Sequence, residues 1–212
     1  MKSYFVIGTD TDCGKTHVIS ALIRYLQREQ HAVMALKPVA SGLRDGNAWL
    51  PEHDAVRLSQ ELGVDPALIC PWSMPLPVSP HLAAQAQGTH LHGQAIVHFC
   101  QQPQWQTYDF LLIEGAGGLM VPLNDHETWV DVIRAGQWEV IVVVGMRLGC
   151  INHALLTMRV LHHEGLKCTG WIANCIEPNL LFLEENIQTI QAMVSAPLLG
   201  RVQDGFVNLC FI

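Results

Sequence analysis

The chain is short of charge. Only 15% of its 212 residues are Asp, Glu, Lys or Arg, against about 25% in an average soluble protein, while 50% are hydrophobic. That balance excludes a disordered, solvating polymer. Cations are scarcer than anions: 12 Lys and Arg against 19 Asp and Glu give a net charge of -7, a poor match to nucleic acid or an anionic membrane. Long apolar runs are missing too. Mean hydropathy is +0.22, yet no stretch approaches the roughly 18 consecutive apolar residues of a spanning helix. The surplus apolar surface is therefore expected in a sheet covered on both faces or in a subunit interface. There is no C-x-x-C pair. The seven cysteines (Cys13, Cys70, Cys100, Cys150, Cys168, Cys175 and Cys210) are odd in number and scattered, which excludes a disulfide framework and leaves most of them as small buried hydrophobes. The opening residues turn polar after Ile7, too soon for a signal-peptide core. The expectation is a reduced, cytoplasmic protein.

Short runs rich in Val, Ile and Leu are present at residues 4–7, 32–36, 110–113, 140–144, 169–173 and 197–199. Without period-2 alternation they suit strands buried on both faces. Between them Val18, Ile19, Leu22, Ile23 and Leu26 mark one apolar helical face. Further helical patterns run from Asn152 through Leu161 and over residues 183–194, with shorter ones over 81–87 and 91–101. Alternating strand and helix predicts an α/β fold, a mostly parallel sheet with helices on both faces. Prolines 66, 71, 75, 77 and 80 make residues 70–80 an extended loop. With residues 38–53 as a second irregular stretch, the whole of 1–212 is expected to form one domain.

The strand at 4–7 leads into Gly8-Thr9-Asp10-Thr11-Asp12-Cys13-Gly14-Lys15-Thr16, and a helix starts at once. This is a phosphate-binding loop in strand–loop–helix context, with one residue more between its glycines than G-x-x-x-x-G-K-T. Its backbone amides form a positive cradle, Lys15 adds a point charge and the Thr16 hydroxyl can ligate Mg²⁺. The site is thus expected to take a nucleoside triphosphate. Glu114, at the end of the 110–113 strand, faces the crevice where parallel sheets bind ligands, and the glycines of Gly115-Ala116-Gly117-Gly118 let backbone approach a ligand closely or else make a plain turn. Lys37, at the end of the 32–36 strand, faces the same crevice or else is a solvated surface lysine. Asp54 by spacing alone reads as an N-cap or a loop residue. Residues 145–152 end a strand and open a helix, offering a second N-terminus to an anion or a plain turn.

Taken in order, Gly8-Thr9-Asp10-Thr11 with Gly14-Lys15-Thr16, Lys37-Pro38-Val39-Ala40-Ser41-Gly42, Ser79-Pro80-His81, Glu114-Gly115-Ala116-Gly117-Gly118 and Leu148-Gly149-Cys150-Ile151-Asn152-His153-Ala154 resemble the ATP-dependent dethiobiotin synthetases. The resemblance covers residue 8 to about residue 200 and accounts for the longer phosphate loop. It implies a P-loop NTPase fold and a ligase that closes the ureido ring of dethiobiotin from 7,8-diaminononanoate (diaminopelargonate), CO₂ and ATP. It implies Thr16, Asp54 and Glu114 as Mg²⁺ ligands, and Lys37, Lys15 and Thr11 as catalytic residues. Asp12, Cys13, Gly14, Lys15, Thr16, His17, Asp54, Glu114, Gly115, Ala116, Gly117, Asn174 and Cys175 would contact the nucleotide and its metal. Thr11, Lys37 and Ser41 would contact the diamine, and Gly149, Cys150, Ile151 and Asn152 would receive its far carboxylate from a partner subunit. A homodimer is implied, with no role for nucleic acid or membrane.

The match has departures. Cys13 stands where the family usually has valine, and Asn174-Cys175 replaces its usual Asn-Asp. Residues 199–205 run directly into the closing segment, without the family's Ile-Pro and longer nucleotide loop. The resemblance therefore carries over the phosphate and Mg²⁺ positions, not base specificity. Two other classes share the loop. A related P-loop ligase would need a further substrate domain. A MinD- or ParA-type switch would be expected to carry a basic patch or basic amphipathic helix, whereas residues 207–212 have no basic residue and read as a final strand.

Overall fold

A computed structural model describes residues 1–42, 44–45, 48–49, 53–203 and 206–209. Its frame is one seven-stranded sheet. In chain order the strands of that sheet are β1 (Lys2–Gly8), β2 (Val33–Leu36), β7 (Phe110–Gly118), β8 (Glu139–Gly145), β9 (Cys168–Asn174), β10 (Leu198–Gln203) and β11 (Phe206–Leu209). Across the sheet they run β11-β10-β9-β8-β1-β7-β2, all parallel except the β10–β11 pair. Three shorter strands, β3 (Val39–Ser41), β4 (Arg44–Asp45) and β5 (Ala48–Trp49), precede β6 (Trp72–Met74); β3 pairs with β6 and β4 with β5. Each of the six apolar runs falls on a strand of the main sheet, with Ala32 and Pro197 just outside theirs. The central strands are buried at consecutive residues, as in Phe5, Val6 and Ile7 or Val140 to Val144, so helices cover both faces.

The helices are α1 (Lys15–Arg28), α2 (Asp54–Leu62), α3 (Pro66–Ile69), α4 (Pro80–Ala86), α5 (Gly93–Cys100), α6 (Trp129–Gly136), α7 (Cys150–His163) and α8 (Leu183–Met193). The chain leaves β1 through α1 toward β2, but crosses the sheet the other way through α6, α7 and α8. Right-handed crossovers then put α1 on the face opposite those three. The reversal falls at β1, and its C-terminal edge is where an open parallel sheet offers a crevice.

Three expectations need correcting. Residues 70–80 are not all loop: Trp72–Met74 is a strand hydrogen-bonded to β3, and α4 begins at Pro80, at a first-turn position where proline's missing N–H costs nothing. Residues 38–53 likewise contain β3, β4 and β5, the rest of that stretch lying partly outside the described residues. Glu114 does not close its strand either. β7 continues through the glycines to Gly118, which pairs with Gly8 after a register shift. The buried Trp129 indole N–H donates to the Ala116 carbonyl at 2.8 Å, pinning α6 to this extension. Of the closing segment, Phe206–Leu209 is a strand, and the last three residues lie outside the described set.

Candidate active site at the phosphate loop

The loop after β1 is bent by two residues in the left-handed region, Asp12 (φ 55°) and Gly14 (φ 83°). Glycine at 14 is a steric requirement, since a Cβ there would sit 2.0 Å from the Asn174 amide nitrogen. That nitrogen donates to the Cys13 carbonyl at 2.9 Å, and the Thr9 N–H donates to the Val143 carbonyl at 3.0 Å. The loop is thus supported from β8 and β9. Gly14 caps α1, so Lys15 and Thr16 occupy its first turn with their amides free of helix partners. Lys15 Nζ donates to the Asp10 carbonyl at 3.2 Å.

The chemistry-bearing cluster lies beside this turn. Lys37, 2% exposed, places Nζ 2.5 Å from Glu114 Oε1, 3.1 Å from Asp54 Oδ2 and 3.4 Å from the Gly115 carbonyl. Thr16 Oγ1 donates to the same Glu114 oxygen at 2.8 Å. Lys37 is not a solvated surface lysine. Burial opposes its charge, but Asp54 and Glu114 outweigh burial and hold its pKa above the ordinary lysine value. Burial would raise Asp54, yet the Lys37 ammonium beside it keeps its carboxyl well below the usual range. Glu114 is fully buried, and desolvation pushes its pKa up against the pull of Lys37. Asp54 is not an N-cap: His53 takes that place, its Nδ1 accepting the Ala55 N–H at 3.1 Å, while Asp54 opens α2. Burial lowers the His53 pKa to about 4, which keeps the ring neutral and able to accept.

The donor set fits Mg²⁺. Thr16, Asp54 and Glu114 supply only oxygen, and Glu114 Oε2 is a buried oxygen with no hydrogen-bond partner. A small hard cation needs few protein oxygens when phosphates and water complete its octahedron.

Other expected residues are distributed less simply. Thr11 is exposed on the loop, close to Gly117, and Ser41 ends β3 half-buried. Asn174 and Cys175 follow the loop's underside: Asn174 is 2% exposed with its amide on Cys13, and the Cys175 N–H donates to the Val202 carbonyl. The His17 side chain turns away from the cradle, while its amide shares the first turn of α1 with those of Lys15 and Thr16. With Ser20, Arg24, Arg57, Gln60 and Glu61 it lines a separate cleft of about 410 Å³ between α1 and α2, where burial and the two arginines lower its pKa. At the start of α7, Gly149 and Asn152 are exposed, but Cys150 is buried and its N–H is taken by the Arg147 carbonyl. The sequence reading missed one ion pair, Arg147 Nη2 to Asp10 Oδ2 at 2.6 Å. Its partners are 137 residues apart, with no periodicity linking them.

The central phosphate loop, the crevice carboxylates and the strand order define a P-loop nucleoside triphosphatase. A family model described as an AAA domain matches residues 2–204. The structure resembles that of the cell division protein FtsY from Thermotoga maritima (TM-score 0.59, 12% identity, covering 98% of this chain and 64% of that one). It also resembles the septum site-determining protein MinD from Pyrococcus horikoshii OT3 (TM-score 0.54, 16% identity, 95% and 82% covered). At such identities these likenesses carry the fold. Sequence is more specific: the chain is 46% identical over 205 residues to the ATP-dependent dethiobiotin synthetase BioD of Legionella pneumophila strain Paris, covering 97% of this chain and 95% of that one. Against the same enzyme of Cellvibrio japonicus it is 39% identical over 203 residues, covering 95% and 89%. The chain belongs to the ATP-dependent dethiobiotin synthetase family.

Proposed function

We propose that this protein is an ATP-dependent ligase of biotin biosynthesis that closes the ureido ring of dethiobiotin from diaminopelargonate and CO₂. One amine adds to CO₂ and loses a proton, giving a carbamate. A carbamate oxygen attacks the γ-phosphorus of ATP and displaces ADP, forming a carbamic-phosphoric anhydride. The second amine attacks the carbonyl carbon, expels phosphate and closes the ring. Family membership supports the overall reaction, and the Lys37 cluster beside the phosphate loop is the observation that supports this site for it. Such phosphoryl transfer depends on alignment and charge neutralisation more than on covalent help from the protein.

Lys37 neutralises charge on the carbamate and the transferring phosphoryl group, and its two carboxylate partners, the buried Glu114 and the half-exposed Asp54, keep it protonated for that task. Lys15 and the amides of Asp12, Cys13 and Gly14 hold the terminal phosphates. Thr16, Asp54 and Glu114 would hold Mg²⁺, which would supply charge neutralisation for the phosphates. Thr11, Ser41 and the strand edge at Gly115–Gly117 fix the diamine and nucleotide, and Asn174 and Cys175 lie on the nucleotide side. The His17 amide joins those of the first turn of α1, and its side chain lines the separate cleft between α1 and α2.

The reading includes a cytoplasmic homodimer. Leu148, Met120 and Leu156 are 91%, 58% and 57% exposed, and Met120 and Leu156 share a cleft of about 350 Å³ with Thr9, Asp10 and Thr11. A second copy covering this face would bring its own Gly149–Asn152 turn to the diamine's carboxylate, burying one patch on both subunits. Among the described residues no helix is long and apolar enough to cross a membrane.

The test is to incubate the protein with diaminopelargonate, bicarbonate, Mg²⁺ and ATP, detecting dethiobiotin by mass spectrometry and counting phosphate. Product in step with phosphate is the expected result. Phosphate release indifferent to the diamine would overturn the reading.

A further inference from the structure

The phosphate loop carries two carboxylates, Asp10 and Asp12, where it is to meet a polyanion. Asp10 is fixed at the rim. Its Oδ1 accepts the Thr11 N–H at 2.7 Å, and its carbonyl accepts Lys15 Nζ at 3.2 Å. The remaining oxygen, Oδ2, accepts Arg147 Nη2 at 2.6 Å. Arg147 comes from the turn between β8 and α7, and among the described residues no other Lys or Arg side chain is ion-paired with Asp10.

We propose that Arg147 is a positioning residue for nucleotide binding, one that cancels the Asp10 charge and holds it at the loop's rim. A carboxylate tied to the next amide cannot swing away when phosphates arrive, so its charge must be balanced where it stands. Left unbalanced, it would repel the phosphates and compete with them for Lys15. The two side chains are 34% and 45% exposed, so the pair adds little to folding stability. Its effect belongs in anion affinity. The inference rests on the loop being the triphosphate site, not on the ring-closing chemistry.

The full-length protein is titrated with MgADP by calorimetry at low and high salt. Arg147→Ala is expected to weaken binding by roughly ten-fold at low salt, with a smaller loss at high salt. Adding Asp10→Asn to Arg147→Ala restores most of the affinity, and Arg147→Lys retains much of it. Unchanged affinity in Arg147→Ala overturns the proposal. So does a double variant as weak as Arg147→Ala, because Arg147 would then serve the phosphates directly or the fold alone. Should Arg147→Ala fail to fold, Asp10→Asn decides: it is expected to bind MgADP at least as tightly as wild type, and a loss beyond a few-fold overturns the proposal. Wild-type MgADP binding without dethiobiotin production would refute the ligase reading and leave this one testable. Failure of the wild type to bind MgADP would refute the loop's assignment itself.

Discussion

The two ends of the central sheet are built from the same strands and differ in what they bury. At the C-terminal end of the parallel strands, Lys15, Thr16, Lys37, Glu114 and Asn174 are all at most 7% exposed and hydrogen-bonded across elements. At the other end lies a cleft of about 730 Å³, lined by Lys2, Ser3, Gln101, Gln102, Gln106, Gln137 and Glu139 among others. Its carboxylate, Glu139, pairs with Lys167, which is 71% exposed. Buried charge is costly and persists where neighbours balance it, whereas a wet groove between strand starts costs nothing to keep.

Breaking the contrast at its strongest point gives the largest effect. Lys37→Ala is expected to lower kcat by about 10²–10³-fold while ADP still binds; unchanged turnover in the steady-state assay would remove Lys37 from the mechanism. Next comes Glu114→Gln, which keeps the shape and loses the charge. It is expected to weaken Mg²⁺-dependent ADP binding by at least about ten-fold, read as the difference between titrations with Mg²⁺ and with EDTA. Asn174→Ala strips the Cys13 carbonyl of its donor. A loss of about 1–2 kcal/mol in denaturant unfolding is expected, with a few-fold loss in ADP affinity; intact affinity would show that the loop keeps its shape without this prop.

The smallest effects should come from the opposite end. Gln137 sits in the left-handed region (φ 57°) as the C-cap of α6, so Gln137→Gly is expected to stabilise the protein by up to about 1 kcal/mol. Gln106→Ala should change stability by less than about 0.5 kcal/mol. Neither should move ADP affinity, and a shift in either would mean the basal cleft communicates with the site.

How much of this was legible varies with the distance over which a signal acts. The phosphate loop and its strand and helix are contiguous, so glycine spacing and apolar runs revealed them together. Glu114 is legible as a crevice carboxylate, but its glycines suggest close backbone approach or a plain turn; they are extended strand because Trp129 and β1 hold them there, which local propensity cannot register. Helix α6 was missed although Thr128 and Asp131 form a capping box, a signal that is in the sequence. Asp54 and Lys37 are adjacent only once α2 has packed beside β2. The resemblance named both, while their charge balance and the Arg147–Asp10 pair required three dimensions.

The strand order has a consequence for how such a molecule can change. Five neighbouring strands, from β9 through β8, β1 and β7 to β2, carry or support the reactive groups on one rigid edge. Lys37 and Glu114 meet there although they stand 77 positions apart in the chain. The positions between them hold the small paired strands and short helices, and with them Asp54 and Ser41. A change in the connections that leaves these two in place leaves the edge intact, and one that moves α2 takes a carboxylate away from Lys37.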